Sequence, residues 1–163
     1  MAVTTCEIRT SMTTNETPDS TTTATGQSVQ HTTLNQSLSL SPTSTVPVTK
    51  TAGRTDFPLS GGAATINFTT MLGTGGATVT FLGLKVQSLI LKNKSTNTGN
   101  MTFVPGASNG IDLFGASSSI TLKPGHWVHF YFHDSSPDVA SGDCTIDVTG
   151  TGSEQFEIHA VAG

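Results

Sequence analysis

The histidines of this 163-residue chain are its most versatile candidate ligands and acid–base groups. Three of the five lie in the segment Ile120–Asp134, ITLKPGHWVHFYFHD. In a strand, His129 and His133 share a face, but their Cα atoms are about 13 Å apart, too far to hold one metal ion. A zinc site would need His159 or Asp147 brought alongside by sheet pairing. We therefore predict no metal site and interpret these histidines as polar or interface groups.

The acidic residues at the end of this segment and after it are the next candidate ligands. Asp134, Asp138 and Asp143 lie in one loop, and oxygen-rich acidic loops can hold calcium. Their spacing is not that of an EF-hand, and Asp in a loop rich in Ser, Pro and Gly usually forms Asx turns. Calcium in the loop 134–143 stays an open alternative.

No arrangement of side chains predicts catalysis. The sequence has no Gly-x-Ser-x-Gly elbow and no supported Cys–His pair. Glu154 falls in a predicted turn and Glu157 on an outward strand face, not across a cleft as a glycosidase requires. We expect no enzyme activity, no catalytic residue and no cofactor.

The segment Ile120–Asp134 predicts a turn followed by a strand. In Lys123-Pro124-Gly125, Pro presets φ and Gly tolerates the positive φ that often follows. The residues after the turn alternate between two faces. Val128, Phe130 and Phe132 point toward a core, whereas Trp127, His129, Tyr131 and His133 point away from it.

The outward face holds the only Trp and the only Tyr of the chain. Three interpretations of Trp127 and Tyr131 remain open. They could stack on host glycan, they could form a subunit interface, where Trp and Tyr are enriched, or they could be buried under another part of the chain. We expect protein to cover this face, and we name Trp127, His129, Tyr131 and His133 as interface candidates.

The composition predicts an all-β protein. The chain has 30 Thr and 18 Ser, and only 11% of its residues are charged. β-Branched Thr suits strands, whereas Ser and Gly suit turns. The net charge is −4 with no basic stripe, so we expect no nucleic-acid partner. No apolar run approaches the roughly 20 residues of a membrane span, and we expect neither a membrane partner nor a signal peptide.

Residues 1–26 are predicted to be an extended, Thr-rich N-terminal arm. They include ten Thr and lack a lasting hydrophobic period. Alone, such a segment buries too little to offset its ordering entropy and is expected to be disordered. An ordered arm must therefore lie on its own domain or on a neighbour. Extended chain can add to a sheet edge. Val3 and Ile8, two of the few apolar residues of the arm, are further interface candidates.

Residues 27–163 are predicted to be one β-sandwich domain. Eight or nine short strands with turns every 8 to 12 residues are typical of an antiparallel sandwich, here jelly-roll-like. A change of hydrophobic phase near Thr33 indicates a bulge or two separate strands. The run Val86–Leu91 predicts a strand covered on both faces. We expect a loop over 51–62.

The C-terminal part of the chain, from Ala64 to Gly163, resembles a family of structural proteins. Three stretches carry the resemblance: VQSLILKN (86–93), ITLKPG (120–125) and the closing TIDVTGTGSEQFEIHAVAG (145–163). With the loops between them, they resemble small β-sandwich proteins of tailed-bacteriophage virions, namely head decoration (cement) proteins and minor head or tail proteins. The similarity of layout spans Ala64–Gly163.

The resemblance implies a non-enzymatic protein that forms homo-oligomers, often trimers, on a capsid or tail surface. We therefore expect a capsid decoration protein that is assembled in the host cytoplasm and located in the virion. Its expected partners are other copies of itself and a major capsid protein or other virion protein, bound through the arm and the aromatic face. The alternative is a tail or spike module that binds host glycan.

Overall fold

The computed structural model describes residues 3–16, 29–73, 76–115 and 117–163. The described backbone contains twelve strands, and every strand ladder is antiparallel. The strands are β1 (Cys6–Glu16), β2 (Val29–Leu40), β3 (Lys50–Pro58), β4 (Ala63–Asn67), β5 (Met71–Leu72), β6 (Thr78–Val79), β7 (Val86–Asn93), β8 (Met101–Pro105), β9 (Ile120–Leu122), β10 (Trp127–Tyr131), β11 (Thr145–Thr149) and β12 (Gln155–Ala162).

Eight of these strands form two four-stranded sheets that pack face to face. Sheet I has the order β10-β7-β12-β3, and sheet II has the order β4-β11-β8-β9. The main hydrophobic core lies between them. Phe103 of sheet II meets Phe156 of sheet I edge to face, with ring centroids 5.6 Å apart. The predicted all-β fold with antiparallel sheets is therefore confirmed.

Alternation along β12 shows why the sheets pack this way. Phe156, Ile158 and Ala160 are buried in the core, whereas Glu157 and His159 between them point away from it. Side chains of a strand point to opposite faces in turn, so a strand with one apolar parity buries one face. The neighbouring β7 is buried along most of its length, as the run Val86–Leu91 predicts.

Strand β3 corrects one expectation. Residues 51–62 were expected to form a loop, but Lys50–Pro58 is the edge strand of sheet I. Arg54, Asp56 and Pro58 interrupt the sequence pattern that is typical of a strand. Charged residues and Pro are tolerated mainly in edge strands, which is where β3 lies. The one inward aromatic, Phe57, stacks on Phe156 with centroids 4.7 Å apart.

The N-terminal strands form a ribbon of their own. β1 pairs with β2 from Cys6↔Leu40 to Glu16↔Val29, in a separate two-stranded sheet. The register shifts so that Met12 pairs with Leu34 and Thr13 with Thr32. Thr33 is therefore the extra residue, and the predicted bulge is confirmed. The boundary predicted between residues 26 and 27 lies outside the described residues.

A buried amide fixes the turn that leads into β10. Asn93 is fully buried, and its Nδ2 donates to the carbonyl oxygens of Gly99 and Leu122, each at 2.9 Å. Its backbone C=O accepts from Gly125 N–H at 2.9 Å. Gly125 has a φ of 81°, and His126 N–H donates to Lys123 C=O, so the predicted turn is confirmed.

Candidate interaction surface

The side of sheet I that points away from sheet II is the candidate surface, here called the outer face. Cross-strand register organises it in rows. Trp127 pairs with Lys92, and Lys92 pairs with Glu157. In the second row His129 pairs with Ile90, and Ile90 pairs with His159.

Trp127 is the most exposed large apolar side chain of the outer face. Its side chain is 64% exposed, whereas Tyr131 at the other end of β10 is 37% exposed. Beside Trp127, Lys92 Nζ lies 2.9 Å from Glu157 Oε1. No described residue covers Trp127, so its cover by protein stays a prediction.

The second row holds two imidazoles on either side of Ile90. His129 Nε2 lies 2.8 Å from Ser88 Oγ, and His159 Nε2 lies 3.0 Å from Thr51 Oγ1. Burial lowers the pKa of His129. Burial and, to a lesser extent, the charge of His129 lower the pKa of His159. Both rings are therefore biased toward the neutral form near pH 7, which suits a surface that packs against protein.

The base of the ribbon covers the opposite end of the outer face. Val161 of β12 points outward yet is only 4% exposed, because it belongs to a second hydrophobic cluster with Leu40, Val46 and Val48. Partly buried side chains from the N-terminal residues and β2 pack against this cluster: Val3, Cys6, Ile8 and Leu38. Val3 N–H also donates to Thr49 C=O at 3.1 Å. The ribbon is thus anchored on sheet I.

A groove of about 800 Å³ lies between the ribbon and the end of β10. Ile8 and Leu38 line its ribbon side, and Tyr131 and His133 line its sheet side. A second groove, of about 770 Å³, lies over the other side of the outer face, where Ile90, Glu157 and His159 line it with residues of β3 and Leu72. Both grooves are open depressions in one surface.

The structure brings some of the predicted interface residues together. Ile8, Tyr131 and His133 line the first groove, and Val3 joins the cluster beneath the ribbon. Trp127 lies two positions along β10 from His129, at the far end of the strand from Tyr131.

His133 departs from the predicted alternation. β10 ends at Tyr131, and His133 adopts a positive φ of 54°. Its ring still meets the Tyr131 ring edge to face, with centroids 6.0 Å apart. The imidazole therefore stays at the groove, although the strand does not carry it there.

The sequence did not identify Val161 or Ile90 as part of this surface. It also did not show that His159 lies in one row with His129. Val161 lies between Ala160 and Ala162, so apolar residues on both sides hide its parity. Ile90 lies in a run that is apolar at nearly every position. The two histidines are 30 positions apart, and only strand pairing shows that they are neighbours.

In the described ranges, no three His, Cys, Asp or Glu side chains are grouped so as to hold a metal ion. In the acidic loop, Asp138 lies 3.5 Å from Lys85 Nζ. The described part of the chain contains no helix long and apolar enough to cross a membrane.

Comparison with known proteins assigns no family to this chain. No family model, curated protein or solved structure matches this chain.

Proposed function

We propose that this chain is a non-enzymatic virion structural protein, a capsid decoration or cement protein that binds neighbouring subunits through its N-terminal ribbon and the outer face. The observation that carries the proposal is the ribbon. β1 and β2 pair only with each other in the described structure, so each strand keeps a free edge of backbone N–H and C=O groups. Free edges of this kind pair readily with another chain.

The ribbon is amphipathic along its described side chains. The cross-strand pairs Cys6/Leu40 and Ile8/Leu38 share one face, and the pairs Glu7/Ser39 and Arg9/Ser37 share the other. The apolar pairs nearest the sandwich pack in the cluster under the ribbon. A two-stranded ribbon alone is marginally stable, so the part beyond its base would gain stability from contact with another surface.

The composition supports adhesion by hydrogen bonds rather than ion pairs. Hydroxyl-rich strands and 11% charged residues favour contacts that salt screens little. The partners in this proposal are other copies of the chain and a major capsid protein or other virion protein. In chain order the eight strands change sheet at every step except from β8 to β9, and this is the basis for proposing a jelly-roll topology.

The test shortens the ribbon without uncovering its base. Residues 11–35 are replaced by Asn-Gly, which joins the cross-strand pair Thr10/Gln36 with a two-residue turn. We expect the variant to fold, shown by an unchanged circular dichroism melting profile of the sandwich, and to be lost from density-purified particles of the phage that encodes it. Retention of the folded variant at the wild-type copy number would overturn the proposal.

A second function, host-glycan binding, is favoured by one observation. Trp127 exposes a flat apolar ring beside the Lys92–Glu157 pair, so a sugar could stack on the indole and hydrogen-bond to the charged groups. A glycan array probed with the purified chain tests this. Binding that Trp127→Ala abolishes and Leu82→Ala retains supports it, since Leu82 is a similarly exposed side chain that lines neither groove. An array without binding rejects it.

A further inference from the structure

The outer edge of β10 presents unpaired backbone groups in a definite pattern. Asn93 N–H donates to His126 C=O, and Phe132 N–H donates to Gln87 C=O, both in the register that pairs β10 with β7. Bonding residues alternate along an antiparallel ladder, so the even-numbered residues of β10 bond to β7. The N–H and C=O groups of Trp127, His129 and Tyr131 therefore point away from β7, toward the edge.

This edge lacks the features that protect other edges. Trp127–Tyr131, WVHFY, contains no Lys, Arg, Asp, Glu or Pro. The opposite edge of the same sheet, β3, carries Arg54, Asp56 and Pro58, and the β5–β6 hairpin contacts it. Charges, Pro and covering segments are the usual means by which natural proteins keep edge strands from pairing. β10 has none of them in its own sequence.

We propose that β10 pairs antiparallel with β10 of a second copy of this chain, around a two-fold axis at His129, so that two four-stranded sheets become one sheet of eight strands.

The register of this pairing follows from the backbone. A two-fold axis at His129 places Trp127 opposite Tyr131 of the second copy and Val128 opposite Phe130 of the second copy. All N–H and C=O groups of Trp127, His129 and Tyr131 are then used, because each belongs to a bonded pair. Aromatic pairs and aromatic–β-branched pairs are the favourable cross-strand neighbours. A shift of the register by two residues would separate both Trp127–Tyr131 pairs, because the two ends of the contact are equivalent.

The groove beside Tyr131 gives this contact a place for the indole. Trp127 of the second copy comes to lie next to Tyr131, at the groove of about 800 Å³ lined by Ile8 and Leu38. Cover by the partner's groove accounts for a Trp that is 64% exposed in one copy. The contact is isologous, so it occurs twice: Trp127 of each copy lies at the Tyr131 groove of the other copy. The inference concerns the sandwich and does not rest on a role in a virion.

The experiment measures mass by sedimentation velocity from micromolar to millimolar concentration, with Trp127 fluorescence as a second readout. The wild-type chain is expected to reach twice the 16.8 kDa of one chain, with blue-shifted and less quenchable emission from its single Trp. His129→Lys places two positive charges opposite each other and is expected to raise the dimer dissociation constant about 100-fold or more. His129→Gln, which keeps a neutral partner for Ser88, is expected to dimerise.

Thr55→Lys is the matched control, because Thr55 is an exposed residue of the opposite edge strand β3. It is expected to leave the mass and emission unchanged. Circular dichroism verifies that each variant is folded. A wild-type chain that stays monomeric at millimolar concentration, a mass of three chains, or equal losses from Lys at positions 129 and 55 would each overturn the proposal.

Discussion

The two faces of sheet I are built from the same strands but differ in what covers them. The inner face is closed by sheet II, and its side chains, such as Phe156, Leu89 and Leu91, are fully buried. The outer face is closed only at one end, where the ribbon base covers Val161, and is open at Trp127. Folding of the single chain therefore completes the inner face, whereas the outer face keeps exposed apolar surface at Trp127.

The largest effect is expected on the inner face. Phe156 stacks on Phe57 and meets Phe103 edge to face, so it links the edge of sheet I to sheet II. Phe156→Ala is expected to lower the free energy of unfolding by about 3–5 kcal/mol, through lost burial and the cavity that remains. Urea denaturation followed by circular dichroism measures it. A loss below about 1 kcal/mol would mean that the aromatic stack is not part of the core.

A matched pair of smaller truncations compares the two faces directly. Val148→Ala removes two methyl groups from the core between the sheets, and Val161→Ala removes the same groups from under the ribbon. We expect the free energy of unfolding to fall by about 2–3 kcal/mol for Val148→Ala and by about 1–2 kcal/mol for Val161→Ala. The second loss is smaller because the ribbon base can move into the space that Val161 leaves. The same urea titrations measure both. A larger loss at Val161 than at Val148 would contradict the comparison.

The sequence predicted the inner face better than the outer face. Alternation identified β10 and β12, and a change of phase located the bulge at Thr33. It missed β3, because Gly53, Arg54, Asp56 and Pro58 break the pattern of a strand. The sequence also missed the pairing of residues 6–16 with 29–40, because residues 6–16 belong to the Thr-rich arm, which has no lasting hydrophobic period.

Mild acid is expected to weaken the folded chain through the outer row of histidines. The folded pKa values of His129 and His159 lie below the ordinary value of 6.5, so the unfolded chain binds more protons as the pH falls. The contribution of the two neutral imidazoles to folding stability is fully present above about pH 6.5 and is lost as the pH falls below it. Protonation of both rings places two positive charges in one row. The charge of Lys92 in the neighbouring row adds to their repulsion, and the carboxylate of Glu157 opposes it.

Melting temperatures of a dilute sample between about pH 7 and pH 5 measure this dependence. The double variant His129→Gln, His159→Gln is expected to flatten the profile in that range. Glu154 does not interfere. Its pKa is lowered chiefly by the backbone N–H of Thr98, so its contribution is lost only at lower pH, below its ordinary 4.5. An unchanged slope in the double variant would contradict the prediction.

The smallest effect on folding is expected where the outer face is most open. Trp127→Ala removes the largest side chain of the surface, but 64% of that side chain is exposed in the single chain. We expect less than about 0.5 kcal/mol of lost stability in dilute solution, as for other exposed sites. A loss above about 2 kcal/mol at that dilution would show that Trp127 belongs to the fold rather than to a contact between chains.

The central claim, that the β10 edge of the outer face is completed by a second copy, is tested most directly by amide hydrogen exchange along β10. Dilute protein is expected to show alternation: Val128 and Phe130, bonded to β7, exchange slowly, and Trp127, His129 and Tyr131 exchange fast. At concentrations that give the doubled mass, all five amides are expected to exchange slowly. Fast exchange at Trp127, His129 and Tyr131 in the concentrated sample would contradict the account.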